Sequence, residues 1–271
     1  MIWRALLLGA AVLAYAASAM AQGTGLRRLT DRDDLFGWEA VGRLELNGQG
    51  YCTGTLIAPE LVLTAAHCVY DKNNGLRPAG QIRFRAGLRD GVAVADRQAL
   101  QIAAHPGYDP RRRLNMENIR HDVALIRLAE PIPSSQAAAF ALHSGKEYGS
   151  GISVTSYGQG RAEALSRQRE CNLMGEHKGV LMIDCNVTFG SSGAPVFSQA
   201  GGRGRILALV SGGGNFQGEK VAFGMKLPER VAELKAQLRR NPVALPDRRI
   251  KRIRVGSGTS AGGAKFVSVG D

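Results

Sequence analysis

Short apolar runs separated by turn residues recur along most of the chain. The runs with the length and composition of β-strands are 41–46, 53–57, 61–64, 82–86, 99–104, 123–128, 152–156, 180–184, 194–197 and 206–211. Pairs such as Asn47-Gly48 and Pro106-Gly107 are typical of the turns between strands. This pattern predicts an all-β fold, either a sandwich or a pair of barrels, rather than alternating strands and helices.

Helical periodicity is clear in one segment near the C-terminus, residues 228–240. Pro228 suits the first turn of a helix, and Val231, Leu234 and Leu238 fall on one face. We therefore expect a C-terminal α-helix that buries a narrow apolar stripe.

The first residues have the organisation of an export signal. Arg4 is followed by an apolar run at 5–17, and Ala19-Met20-Ala21 is a small-x-small cleavage site. Residues 1–21 are therefore predicted to be a signal peptide, cleaved near Ala21, which makes the protein secreted or periplasmic. An uncleaved anchor is the alternative. We expect no transmembrane segment in the mature chain, because no later apolar stretch is long enough.

The last residues differ in character from the rest. Residues 241–271 contain a basic run and then a Gly/Ser-rich stretch, which together predict a flexible tail. Alternating apolar residues within it leave an additional hairpin open.

Composition and charge narrow the class of protein. The chain has 271 residues, of which 44% are hydrophobic and 35 are glycine, as expected for a globular β-rich protein. Its net charge of +12 is compatible with anionic partners and also with an ordinary exported protein. No RNA-binding signature or zinc-finger spacing is present, so we expect no specific nucleic acid partner.

Export changes the meaning of the four cysteines. An even number of cysteines in an oxidising compartment predicts disulfides, and the simplest pairing is Cys52–Cys68 with Cys171–Cys185. Four cysteines allow three pairings, and spacing alone does not choose among them. A Cys–His metal site would need two clustered ligand pairs, and only His67 and Cys68 are adjacent, so we expect no metal.

The first chemical motif is Leu63-Thr64-Ala65-Ala66-His67-Cys68. Histidine can take and return a proton near neutral pH, because its reference pKa is about 6.5. His67 directly follows an apolar strand and is flanked by a candidate disulfide. Such a rigid position suits a general base, although a single histidine in this place is more often structural.

The second motif is Asp122 at the mouth of the apolar run 123–128. A buried carboxylate requires a donor or a cation as partner, and an imidazole N–H can be that donor. A turn or a strand cap is the structural alternative.

The third motif is Gly190-Ser191-Ser192-Gly193-Ala194-Pro195. Small residues around a serine allow a tight turn that exposes the hydroxyl and lets backbone N–H groups converge on one point. A plain glycine-rich turn is the alternative.

Together the three motifs resemble those of the trypsin/chymotrypsin-like serine peptidases, with the serine motif closest in style to the bacterial glutamyl-endopeptidase-like branch. The order His67, Asp122, Ser192 is the order of that family. The resemblance implies two antiparallel six-stranded β-barrels with a C-terminal helix and an active site between the barrels. The implied divisions are an N-terminal segment at 22–36, a peptidase domain at 37–240, and barrels at about 37–135 and 136–227.

The resemblance also implies roles for individual residues. Ser192 would be the nucleophile, His67 the general base and then acid, and Asp122 the residue that orients His67. The backbone N–H groups of Gly190 and Ser192 would form the oxyanion hole. The residues expected to contact substrate are Asn186, Val210, Ser211, Gly212 and Gly213.

Departures from the family pattern qualify these expectations. Ser191 stands where the digestive branch has an aspartate that receives a newly cut N-terminus, so we expect no such activation. Asn186 stands where arginine- and lysine-specific members have aspartate, and Val210 where the glutamyl branch often has histidine. We therefore expect a preference for uncharged residues before the scissile bond.

The sequence thus predicts a monomeric endopeptidase that acts on proteins or peptides without a cofactor. Two other functions stay open. One is a catalytically inactive relative that acts as a binding module, and the other is a cationic surface-binding protein.

Overall fold

The computed structural model describes residues 25–112, 114–144, 151–198 and 203–243. The predicted signal peptide and nearly all of the predicted C-terminal tail lie outside the described residues. No helix among the described residues has the length and apolar character needed to span a membrane.

Strands dominate the described chain. They are β1 (Leu26–Arg28), β2 (Val41–Glu45), β3 (Tyr51–Ala58), β4 (Leu61–Thr64), β5 (Arg83–Ala86), β6 (Ala95–Ala104), β7 (Ala124–Leu128), β8 (Gly151–Gly158), β9 (Arg161–His177), β10 (Val180–Ile183), β11 (Pro195–Ser198), β12 (Arg205–Phe216) and β13 (Glu219–Lys226). The helices are α1 (Arg32–Leu35), α2 (Met116–His121) and α3 (Pro228–Arg240), with short 3₁₀ turns at Ala66–Val69 and Ala79–Gln81.

The strands form two closed antiparallel barrels, as predicted. The first has the order β2-β3-β4-β7-β6-β5. The second has the order β8-β9-β10-β13-β12-β11 and closes because β8 pairs with both β9 and β11. Strand β1 is an addition to the edge of β9, where Leu26 pairs with Gln168.

Apolar side chains fill the barrels and the junction between them. Leu44, Leu63 and Leu125 are fully buried in the first barrel. Tyr157 at the end of β8 is also fully buried, and its hydroxyl donates to the backbone oxygen of Leu88 at 2.9 Å. This bond crosses from the second barrel to the first, so it helps to hold the junction at which the site lies.

Helix α3 begins and ends where the periodicity predicts. Pro228 occupies its first turn, and Val231, Leu234 and Leu238 are its buried residues. The helix follows the last strand of the second barrel but packs on β6 and β7 of the first. It therefore ties the two barrels together.

Candidate active site

The backbone of His67 is fixed by the strand before it and by a disulfide at the residue after it. It lies in the 3₁₀ turn that follows β4, and its neighbour Cys68 is bonded to Cys52 on β3, with a Cα–Cα distance of 6.2 Å. The His67 side chain is 33% exposed, so its ring is accessible from the cleft. The second disulfide joins Cys171 to Cys185, so the structure contains the simplest pairing of the four cysteines.

Asp122 is buried at the junction between α2 and β7. One of its oxygens, Oδ2, lies 2.8 Å from His67 Nδ1, and the other, Oδ1, accepts the backbone N–H of His67 at 2.8 Å. The Ser211 hydroxyl donates to Oδ2 at 2.5 Å. Three donors thus compensate the removal of this carboxylate from water.

The bond to Asp122 determines the state of the His67 ring. An ionised carboxylate can only accept hydrogen bonds, so Nδ1 carries the proton and Nε2 is left with a free lone pair. Burial lowers the pKa of His67, but the charge of Asp122 and its hydrogen bond outweigh burial and raise that pKa above its ordinary value of 6.5. The ring is therefore a stronger base than a free imidazole.

Ser192 lies on a turn whose glycines have no room for a side chain. Gly190 and Gly193 have φ values of +88° and +76°, which favour glycine. A Cβ on Gly190 would lie 2.2 Å from the Tyr51 ring, and one on Gly193 would lie 2.2 Å from Thr64 Oγ1. The turn is therefore pressed against the first barrel.

Hydrogen bonds hold this turn from both barrels. The backbone N–H of Thr53 donates to the oxygen of Ser192 at 2.9 Å, and the Thr53 hydroxyl donates to the oxygen of Gly190 at 2.9 Å. From the other side, the N–H of Gly193 donates to the oxygen of Val210 at 2.8 Å. Ser192 thus sits where the barrels meet.

Two N–H groups of the turn are available for an incoming ligand. The oxygen of Phe189 accepts the N–H of Gln159 at 2.7 Å, and in a trans peptide the N–H of Gly190 points the opposite way. Within the described part of the chain, neither that N–H nor the N–H of Ser192 has an acceptor. Such a pair of donors can stabilise an oxyanion.

The structure brings His67, Asp122 and Ser192 into one cleft of about 670 Å³. Residues of both barrels line it: His67, Tyr108, Arg112, Leu114, Asn118, Ile119, Asp122, Gln159, Val187, Thr188, Phe189, Ser192, Val210, Ser211, Gly212 and Gly213. Four of the five predicted substrate-binding residues are among them. A cleft of this size can hold several residues of an extended peptide.

Asn186, the fifth predicted substrate-binding residue, does not line the cleft. It is exposed, and its backbone N–H donates to Gln168 Oε1 at 2.7 Å. The next residue, Val187, lines the cleft instead, with its Cγ2 only 3.5 Å from the point where a Cβ on Gly213 would lie. The cleft of this structure thus includes Val187 and not Asn186, and a role of Asn186 in substrate binding stays a prediction.

Several cleft residues were not anticipated from the sequence. Leu114 lies over Gly212, with its Cδ1 3.3 Å from the position of a Cβ there, and Phe189 is 85% exposed at the rim. Tyr108 lies in the segment between β6 and α2 and also lines the cleft. These residues belong to connecting segments, where apolar periodicity carries no signal.

Comparisons with known proteins agree with the fold. The family model described as Trypsin matches residues 35–228, which is more than half of the chain. The human protein named Serine protease 56 is 34% identical over 101 residues, which are 37% of this chain and 15% of that protein. The protein named Trypsin from Sarcophaga bullata is 35% identical over 88 residues, which are 31% of this chain and 30% of that protein. The matched parts thus span less than a third of either relative.

Solved structures match over a larger share of the chain. A structure titled as a Glu endopeptidase in complex with MPD has a TM-score of 0.65 and 19% identity, and the match covers 79% of this chain and 97% of that chain. A thermostable serine protease, AL20, from an extremophilic microorganism has a TM-score of 0.59 and 21% identity, with 73% and 97% covered. At these identities the likeness establishes the fold alone.

Proposed function

Since the chain belongs to the trypsin family, we propose that it is an exported serine endopeptidase with His67, Asp122 and Ser192 as its catalytic triad. The observation that carries the proposal is the 2.8 Å bond between Asp122 Oδ2 and His67 Nδ1, in the cleft that Ser192 also lines. A carboxylate, an imidazole and a hydroxyl in this order are the parts needed for acyl transfer.

The proposed reaction proceeds through an acyl-enzyme. Ser192 Oγ attacks the carbonyl carbon of the scissile bond while its proton passes to His67 Nε2, and Asp122 stabilises the imidazolium that forms. The N–H groups of Gly190 and Ser192 bind the oxyanion of the tetrahedral intermediate. The amine then leaves with the proton from Nε2. Water repeats the sequence on the acyl-enzyme, which releases the acid and regenerates the serine.

Export is the second part of the proposal. The supporting observations are the signal-like residues 1–21 and the two disulfides, which persist in oxidising compartments such as the periplasm or the cell exterior. We assign the mature protein to one of these two places.

A fluorophosphonate probe tests the proposed function directly. The purified wild-type protein is expected to take up one probe per chain, on Ser192, because the probe reacts with serines activated by a neighbouring base. Peptide mapping of the labelled protein locates the site, and the Ser192→Ala variant is the control. A folded wild-type protein that takes up no label would contradict the proposal and favour a binding module.

Specificity for the residue before the scissile bond is expected to favour uncharged side chains. The residues Leu114, Val187 and Val210 make one part of the cleft apolar. Asp122 is the one carboxylate among the lining residues in the described chain, and its oxygens are already engaged with His67 and Ser211. A buried guanidinium or ammonium of the substrate would therefore lack a carboxylate partner.

Chromogenic peptides that differ only in this residue decide the point. We expect kcat/KM to be higher for peptides ending in Leu or Phe than for those ending in Arg or Glu. A difference of one apolar group in a hydrophobic pocket is worth about 1–3 kcal/mol. We therefore expect kcat/KM for the apolar peptides to exceed that for the charged peptides by roughly 10- to 200-fold. A strong preference for the Glu peptide, as the name of the structural relative would suggest, would contradict this interpretation of the cleft.

A further inference from the structure

Arg161 places a guanidinium group behind the turn that carries Ser192. It is the first residue of β9, immediately after the short hairpin that connects β8 to β9. Its Nη1 donates to the backbone oxygen and to the hydroxyl of Ser156, both at 3.0 Å, and its Nη2 donates to Ser191 Oγ at 3.3 Å. The side chain therefore reaches the residue that precedes the nucleophile.

Within the described part of the chain this guanidinium has no anionic partner, and its hydrogen bonds are to serine oxygens. By contrast, Arg43 and Arg85 on the first barrel each bond a carboxylate. Burial lowers the pKa of Arg161 below its ordinary range. A partly desolvated cation is tolerated when its donors are used, and here the serine oxygens of 156 and 191 accept them, so the guanidinium is fixed against these two residues.

Ser191 passes this contact to the nucleophile turn. Ser191 is fully buried, and its hydroxyl also lies 3.2 Å from Ser156 Oγ and accepts the N–H of Thr188 at 3.3 Å. Its backbone N–H donates to the oxygen of Thr188 at 3.0 Å, and its oxygen accepts the N–H of Ala194 at 2.9 Å. Movement of Ser191 would therefore move the peptide groups on both sides of it.

The chain also leaves a space for this guanidinium. A Cβ on Gly158 would lie 2.6 Å from Arg161 Cζ and 2.6 Å from Thr188 Oγ1. Gly158 has no positive φ, so close packing rather than backbone conformation requires a glycine here. The hairpin is thus shaped so that Arg161 can pass beneath it to Ser191.

We propose that Arg161 is a positioning residue for the proposed peptidase. Its guanidinium holds Ser191, and through Ser191 it keeps the N–H groups of Gly190 and Ser192 oriented for the oxyanion. The inference rests on the proposed function, because it concerns the same site. Because a guanidinium within the folded chain holds Ser191, activity should not require a free N-terminus to hold this residue.

The test is the kinetics of Arg161→Ala on a good peptide substrate. We expect kcat to fall by about 10- to 100-fold with little change in KM, because small displacements of groups that stabilise the transition state have effects of this size. A peptide aldehyde, which forms a tetrahedral adduct with serine, should bind more weakly by a similar factor. Added methylguanidine should restore part of kcat, an effect that a merely destabilised fold would not show.

Arg203→Ala is the matched control. Arg203 is an exposed arginine that also donates to backbone oxygens, those of 138 and 139, and lies over the Phe140 ring at 4.0 Å, and its described hydrogen bonds do not reach the turn. This variant is expected to keep kcat and not to respond to methylguanidine. If Arg161→Ala fails to fold, Gly158→Ala, which crowds the guanidinium without removing it, should show the same loss of kcat and of aldehyde binding.

The possible results distinguish a failure of the role of Arg161 from a failure of the proposed function. An active wild-type protein whose Arg161→Ala variant keeps its kcat and its affinity for the aldehyde would overturn the role of Arg161 alone. So would a loss of kcat in both Arg161→Ala and Arg203→Ala that follows a lower Tm and is not rescued. A folded wild-type protein that neither reacts with fluorophosphonate nor cleaves peptides would overturn the proposed function itself.

Discussion

Replacing Ser192 with alanine is expected to lower kcat for peptide hydrolysis by a factor of about 10⁴ to 10⁶. The substitution removes the atom that forms the acyl-enzyme, whereas the N–H groups of Gly190 and Ser192 are kept. The fold should be unchanged, because Ser192 bonds Thr53 through its backbone oxygen rather than its hydroxyl. Steady-state kinetics with the purified variant, together with its thermal unfolding curve, measures both effects.

His67→Ala provides the companion measurement. It should reduce kcat by a similar factor, and the double variant Ser192→Ala/His67→Ala should lose little more, because nucleophile and base act as one unit. Hydrolysis that persists in Ser192→Ala at more than a hundredth of the wild-type rate would contradict the assignment of the nucleophile. Losses that multiply in the double variant would contradict the joint action of the two residues.

The parts of the fold with regular apolar patterns could be predicted from the sequence. Strand β4 was predicted with its observed bounds, and so was α3, because a run of buried residues and a stripe at helical spacing each leave a clear pattern. The two-barrel arrangement followed from the resemblance of the motifs, since spacing alone left a sandwich open.

Two long strands of the second barrel escaped prediction. Strand β9 is 17 residues long, but in its second half Cys171 is the single buried residue. Its backbone there is held by pairing with neighbouring strands, which leaves little trace in a hydrophobicity pattern. Strand β13 begins in the polar segment Glu219-Lys220, but its Val221, Ala222 and Met225 are buried, so its short apolar run was a signal that the prediction missed.

In the candidate site, too, some residues could be predicted from the sequence and others could not. His67, Asp122 and Ser192 could be selected because each lies in a motif of several residues. The contact of Arg161 with Ser191 joins residues 30 positions apart through a hairpin, and no local pattern reports it. Asn186 was assigned from the resemblance, and it lies in a segment between Cys185 and Gly190 that has no regular structure from which the direction of a side chain could be predicted.

Replacing Asp122 with asparagine is expected to lower kcat at neutral pH by about 10⁴. The two carboxylate oxygens accept both the backbone N–H and the ring N–H of His67, but an amide has only one oxygen. If that oxygen stays with the backbone N–H, the amide NH₂ faces Nδ1 and favours the tautomer protonated at Nε2. That tautomer cannot take the proton of Ser192.

The pH dependence provides a second readout of the same substitution. In the wild-type protein, kcat/KM should rise with pH through a midpoint above about 6.5, because the pKa of His67 is raised and only the neutral ring is a base. In Asp122→Asn the charge that raises this pKa is gone while burial, which lowers it, remains. The midpoint should therefore move to lower pH as kcat falls.

Glu233→Gln is the matched control, because it alters a second histidine–carboxylate pair. Glu233 Oε2 lies 2.7 Å from His105 Nε2, and neither residue lines the cleft. This variant should keep the wild-type kcat and the wild-type midpoint, since the pair lies apart from the atoms that react. If Asp122→Asn retains more than a tenth of wild-type kcat, or if its midpoint stays in place, Asp122 does not orient His67 as proposed. If Glu233→Gln shifts the midpoint as far as Asp122→Asn does, the rise of kcat/KM with pH does not report the titration of His67.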